Sequence, residues 1–194
     1  GSARSIPGFD LAAALAELAA SRSFRLNTLI STNSYAALFS FISAGTYVIQ
    51  KGLGVSPTGF GFCFGAVAFS YFLGAMVARH ISTRMGPRRM VLLGASLVAT
   101  TACAGLAALL VFGPSIATIV LPPALSMVGF SFTQPNAMAG AVTPFPHMAG
   151  RASSTLGFVQ WGFAALSGLA LASVLDLGGV ALASFSAVFT VLAL

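Results

Sequence analysis

Apolar residues fill this chain in long uninterrupted runs, and polar positions gather in short clusters between them instead of alternating with them. Six runs stand out, at about residues 26–49, 58–78, 90–112, 115–142, 153–175 and 180–194. About twenty apolar residues in helical conformation cross the hydrocarbon core of a bilayer, so the first five runs predict transmembrane helices. The sixth offers only about fifteen residues before Leu194, less than a full crossing, and is expected to be cut short. Turn-forming stretches separate the runs: KGLGVSP at 51–57, Gly113-Pro114, TPFPH at 143–147, and Asp176 with Gly178-Gly179. In lipid every backbone polar group needs an internal partner, so the expected fold is all-α, a bundle of six transmembrane helices spanning 26–194.

The segment before them, residues 1–25, reads differently. It offers about ten apolar residues after Asp10, broken by Glu17, which is too short and too polar to span. Asp10 can cap a short helix that places Phe9, Leu11, Leu15 and Leu18 on one side. The expectation is a linker on the cytoplasmic side carrying a short helix along the membrane surface.

Composition sharpens the class. The chain is 57% hydrophobic and 6% charged, with mean hydropathy +0.96, whereas soluble domains carry about a quarter charged residues. Nine Lys and Arg stand against three Asp and Glu. In a membrane protein such an excess bears on orientation, because Lys and Arg are retained in cytoplasmic loops. Arg4, Arg22, Arg25, Arg79, Arg84, Arg88, Arg89 and Arg151 fall on one side of the expected topology, and Lys51 alone falls on the other. Both ends of the chain are therefore expected on the cytoplasmic side, with the arginine-rich stretch RHISTRMGPRRM, residues 79–90, as a cytoplasmic loop that anchors to anionic lipid. Arginines beside membrane spans argue against nucleic-acid binding. Cys63 and Cys103 lie inside apolar runs without a CxxC or a histidine-rich neighbour, so neither a disulfide nor a metal site is expected. Phosphate-cradling, zinc-hydrolase and nucleophile-elbow motifs are missing, and three acidic residues leave little for paired-carboxylate chemistry, so the chain is not read as an enzyme.

None of the six runs contains Asp, Glu, Lys or Arg, so no side chain within them suits proton transfer across the bilayer. What they hold is uncharged polar and aromatic. Along the first run Tyr35, Phe39, Ser43 and Tyr47 recur every four residues, with Asn27 and Ser31 extending the stripe, and this face is a candidate cavity lining. Hydroxyls also glue helices together in lipid, and Asn33, offset from the stripe, could bond a neighbouring helix. In the fourth run Pro122, Pro123 and Pro135 remove backbone donors and are candidate hinges; Gln134 and Asn136 beside Pro135 could either compensate the freed carbonyls or face a cavity. In the fifth, Gln160 and Trp161 are candidates for contact with a flat or cationic ligand. His147 and His80 are read as solvated or interfacial side chains. Gly157, Gly162 and Gly168 would permit close helix approach.

Two features together resemble a known family. The stretch GAMVARHISTRMGPRRM, which includes Arg79, resembles the signature loop of the major facilitator superfamily, with Gly74, Arg84, Gly86, Arg88 and Arg89 at matching types of position. Thr83 stands where that loop carries an acid, and Pro87 is an extra residue before the basic pair. LFSFISAGTYVIQKGLGVSPTGFGFCFG at 38–65 and TQPNAMAGAVTPFPHMAGRASSTLGFVQWG at 133–162 closely resemble the Bcr/CflA type of bacterial multidrug antiporter, in its helix seven and its helix ten to eleven junction. The resemblance implies the C-terminal six-helix half of a proton-coupled exporter of amphipathic drug-like molecules in the bacterial inner membrane. It would work by alternating access against an N-terminal half that carries the coupling acids, with the proton gradient as energy source and no cofactor. The other readings are a facilitator for sugars, organic acids or amino acids, and a non-transporting membrane anchor subunit.

Overall fold

The computed structural model describes residues 11–173 together with 180, 183, 184, 187 and 188. The expected sixth span at 180–194 therefore lies largely outside the described residues. Through residue 173 the α-helices run in the order α1 (Leu11–Ala20), α2 (Arg22–Thr46), α3 (Pro57–Met85), α4 (Pro87–Phe112), α5 (Ile116–Val142) and α6 (Ala149–Ala172). A π-turn, Tyr47–Gly52, extends α2, and a single 3-10 turn, Pro146–Met148, leads into α6. No strand occurs among the described residues. Among the described residues four segments, Pro57–Met85, Pro87–Phe112, Ile116–Val142 and Pro146–Ala172, are long and apolar enough to cross a membrane. At 25 residues α2 is long enough too, but its Asn, Ser and Thr side chains keep it outside that group.

Local chemistry sets the ends. The Ser21 hydroxyl accepts from Phe24 N–H at α2, and Ser56 accepts from Gly59 N–H at α3, where Pro57 occupies the first turn, the one place its missing donor costs nothing. Ser115 and Thr118 cap α5 reciprocally: Thr118 N–H donates to Ser115 Oγ at 3.1 Å and Ser115 N–H donates to Thr118 Oγ1 at 2.8 Å.

One expectation is corrected here. RHISTRMGPRRM is not a loop: α3 stays helical to Met85, α4 begins at Pro87, and Gly86 alone turns the chain. Gly86 has φ +74° and ψ 163°, a region open essentially only to glycine, so the residue that breaks the helix is the one that can. α5 runs as one helix through Pro122, Pro123 and Pro135.

Pairwise contacts fix the helix directions. Ser23 Oγ donates to the Gly140 carbonyl and Ser31 Oγ to Gln134 Oε1, so α2 and α5 run antiparallel. Gly94 meets Gly129 and Gly105 meets Pro122, so α4 and α5 are antiparallel as well. Tyr35 meets Trp161 and Phe39 approaches Gly168, which makes α2 and α6 parallel. Arg22, Arg25, Arg79, Arg84, Arg88, Arg89 and Arg151 consequently gather toward one end of the bundle, and Lys51 lies at the other.

α5 is the central helix and touches α2, α3, α4 and α6. Its closest crossing needs two glycines. A methyl on Gly129 would stand 2.6 Å from the Gly94 carbonyl oxygen and 3.0 Å from Val98 N, and both atoms are backbone. Gly74 plays the same part against Val128 and Ser131, so the first residue of the signature-like stretch serves helix packing between α3 and α5. By contrast Gly157 and Gly162 meet nothing within 4 Å in this bundle, and only Gly168 of that expected set is in close approach, against Phe39 and Ser43.

Burial is uneven. α3 buries only Val67 and Gly74, while Phe62, Phe69, Phe72 and Met76 are exposed. Such a surface on a helix of this length needs lipid or another protein against it. At the arginine-bearing end α1 docks through Ala14 and Leu18 onto Phe24, Phe145, Met148 and Leu156. Leu11 and Leu15, expected on the same face as Leu18, point away and are exposed, because four-residue spacing from Ala14 to Leu18 defines the docked face. Glu17 Oε1 meets His147 Nε2 at 3.1 Å across this junction, both side chains being more than half exposed.

Candidate functional site

Four aromatic rings form a row across four helices. Trp161 of α6 stands edge-on to Tyr35 of α2 with centroids 5.0 Å apart; Tyr35 then meets Phe130 of α5 at 6.2 Å, and Phe130 meets Tyr71 of α3 at 6.1 Å. Each of the four lies within one residue of the middle of its helix. In helices that cross a bilayer, the row is therefore at mid-depth. Its ends are open, with Trp161 58% and Tyr71 38% exposed, and its centre is closed, with Phe130 at 6%. Offset and edge-on ring pairs at these separations are the favoured geometries, so the row holds itself together while presenting an indole face and a phenol outward.

One turn away the lining becomes polar. Ser31 Oγ donates to Gln134 Oε1 at 3.2 Å, a buried side-chain bond between α2 and α5. Thr28, Thr32 and Ser34 are buried beside it on α2 with hydroxyls that have no hydrogen-bond partner. Most other hydroxyls of the bundle fold back onto the carbonyl three or four residues earlier, as Ser40 does on Ala36 and Thr133 on Gly129. Thr28, Ser31, Thr32 and Ser34 depart from that habit.

The expected stripe on α2 splits between two neighbours, because α2 lies in the groove between α5 and α6. Asn27 packs against Gly140 of α5 and donates to the Ser23 carbonyl at 2.9 Å, a structural contact. Ser31 and Tyr35 reach the site as described. Phe39 and Ser43 lie against Gly168 of α6 instead. Tyr47 falls in the π-turn at the far end, where Lys51 Nζ sits 5.2 Å from its ring centroid, well away from the aromatic row. Asn33 bonds the Leu29 carbonyl of its own helix at 2.9 Å, not a neighbour.

On α5, Gln134 belongs to the site and Asn136 does not: Asn136 Nδ2 donates to the Phe132 carbonyl at 2.8 Å, one turn back. Gln160 is buried and Trp161 exposed, so only Trp161 of this adjacent pair is open at the surface of α6. Pro122 and Pro123 line an internal cavity, and Pro122 also packs its ring on Gly105. Pro135 is on the surface of α5. Arg79, Thr83, Arg84, Arg88 and Arg89 are exposed at the helix ends, with Thr83 Oγ1 donating to the His80 carbonyl at 3.4 Å. None of them approaches the aromatic row.

Phe130 and Tyr71 were not among the expected lining residues. Their one sequence signal is position, an aromatic side chain at the middle of an apolar run. Among the described residues no group of three or more His, Cys, Asp or Glu side chains comes together to hold a metal ion. No protein-family model, curated protein or solved structure matches the chain.

An exposed indole beside a phenol at mid-depth, with an amide and hydroxyls one turn away, offers a flat apolar surface and a few hydrogen-bonding groups. That combination fits a ligand with an aromatic or cationic body and one or two polar atoms.

Proposed function

We propose that this chain is the C-terminal, six-helix half of a proton-coupled exporter that moves amphipathic drug-like molecules by alternating access. The observation that carries the reading is the row Trp161–Tyr35–Phe130–Tyr71, at mid-depth on four helices and open at both ends. A transporter that rocks two halves around a central ligand binds at this depth. The exposed apolar face of α3 is then the surface that meets lipid and the other half. The arginine-bearing end is cytoplasmic by the positive-inside rule, in the inner membrane of a bacterium. No described helix carries an acidic residue between its two ends at mid-depth, so proton coupling falls to the N-terminal half.

The test is accumulation of a fluorescent lipophilic cation in bacterial cells expressing the full-length gene, with and without an uncoupler. Uncoupler-sensitive extrusion that is reduced in Trp161→Ala and Tyr35→Ala supports the proposal. Uptake of a sugar, organic acid or amino acid without drug extrusion would point to a metabolite facilitator, and no transport of either kind to a membrane anchor; each result overturns the exporter reading.

A further inference from the structure

A partly open cavity between α2, α4 and α5, lined also by Phe130 and Ala183, has a volume of about 60 Å³. Ser34 lines one end and Pro122, Pro123, Thr118 and Ile119 the other, with Ser126 between them. Ser34 is 2% exposed and its hydroxyl has no partner. It does not fold back onto its own helix as Ser40 does. At the far end two prolines lack the N–H groups that the carbonyls of Thr118 and Ile119 would otherwise receive four residues on. Ser126 presents a hydroxyl that is held by Thr101 at 2.7 Å and has lone-pair capacity to spare.

Dimensions decide what fits. A water needs roughly 10–15 Å³ by this measure, so the cavity takes about four. Helical rise sets the distance from the level of Phe130 to Pro122 at roughly 12 Å, which is close to the length of about four waters spaced at ordinary O–H···O distances. An apolar cavity that accepts benzene is about 150 Å³, more than twice this volume. We propose that the cavity is a hydration site: a file of about four ordered waters that runs along α5 from the Ser34 hydroxyl, past Ser126, to the carbonyls of Thr118 and Ile119. The waters supply partners at both ends, and they let α5 stay one helix through its double proline by solvating the carbonyls that the prolines leave over.

Radiolytic hydroxyl-radical labelling tests this, because radicals born from ordered water oxidise the side chains beside it. The purified chain in lipid nanodiscs is irradiated, and oxidation is read by mass spectrometry at Met127, which lines the cavity, and at Met90, which is fully buried elsewhere. Met127 is expected to oxidise several-fold faster than Met90. Ser34→Ala, which removes the polar end, and Ala102→Val, which fills the cavity from α4, should each bring Met127 down to the rate of Met90 without changing exposed Met138. Equal rates at Met127 and Met90 in the wild type overturn the proposal. So does fast Met127 oxidation that neither substitution slows while Met138 stays unchanged. Should one variant lose its fold, seen as a rise at Met90, the other decides.

Discussion

Tyr35 and Trp161 meet edge to face at 5.0 Å although they sit on different helices, and the meeting depends on α2 and α6 running parallel with their midpoints level. Tyr35 is the partly buried member and Trp161 the exposed one, so the phenol sets the orientation of the indole. Trp161 is also the only tryptophan in the chain. A flat cationic ligand on this face should therefore quench the intrinsic tryptophan fluorescence of the protein in detergent.

The size of the indole's contribution follows from the same contact. Trp161→Ala should weaken binding of such a cation by about 1 kcal/mol, roughly fivefold in Kd, by equilibrium dialysis. Trp161→Phe should recover part of the loss because a smaller aromatic face remains. An unchanged Kd in Trp161→Ala would remove the aromatic row from the binding site.

Ser31 and Gln134 should behave as a coupled pair. Replacing Gln134 with Leu leaves the Ser31 hydroxyl buried without its acceptor and should cost about 1 kcal/mol of stability. Combining it with Ser31→Ala in a double-mutant cycle should give a coupling of about 0.6 kcal/mol, the usual scale for side-chain bonds between membrane helices. Unfolding in mixed micelles titrated with a denaturing detergent measures both. Strict additivity would mean that the 3.2 Å contact contributes nothing.

Glycines that look alike in sequence should split into two groups. Gly129→Ala puts a methyl 2.6 Å from the Gly94 carbonyl oxygen and should destabilise the bundle by about 1–3 kcal/mol. Gly61→Ala on α3 meets nothing within 4 Å and should stabilise by about 0.5–1 kcal/mol through helix propensity alone. The same micelle titration reads both, and a destabilised Gly61→Ala would reveal a close neighbour on the exposed face of α3.

What the sequence made legible, and what it hid, follows from which interactions are local. Helical character and membrane-compatible length follow from run length, because a span must satisfy its backbone internally. The polar loading of α2 was equally visible. Which neighbour each α2 side chain meets was not, since Ser31 turning to α5 and Phe39 to α6 depends on how those helices sit. RHISTRMGPRRM looks like a loop by polarity, yet polarity marks only the edge of the apolar region, and the helix continues past it until Gly86. The prolines of α5 stand out in the sequence because each removes a backbone bond, but that Pro122 packs on Gly105 of α4 depends on how the helices sit. Phe130 is one of 17 phenylalanines, and nothing local distinguishes it from the others.

Orientation gives the last prediction. Seven arginines gather at one end of the bundle through the ends of four different helices, so no single connection decides which way the protein sits. In a background with Cys63 and Cys103 replaced by Ala, a cysteine at Lys51 should react with a membrane-impermeant thiol reagent added to intact cells. A cysteine at Arg84 should react only after the cells are opened. Neutralising Arg88 and Arg89 together should leave this pattern intact, because Arg22, Arg25, Arg79 and Arg151 still hold the same end. Labelling at position 84 from outside would reverse the assignment and put the arginine-bearing end on the outer face.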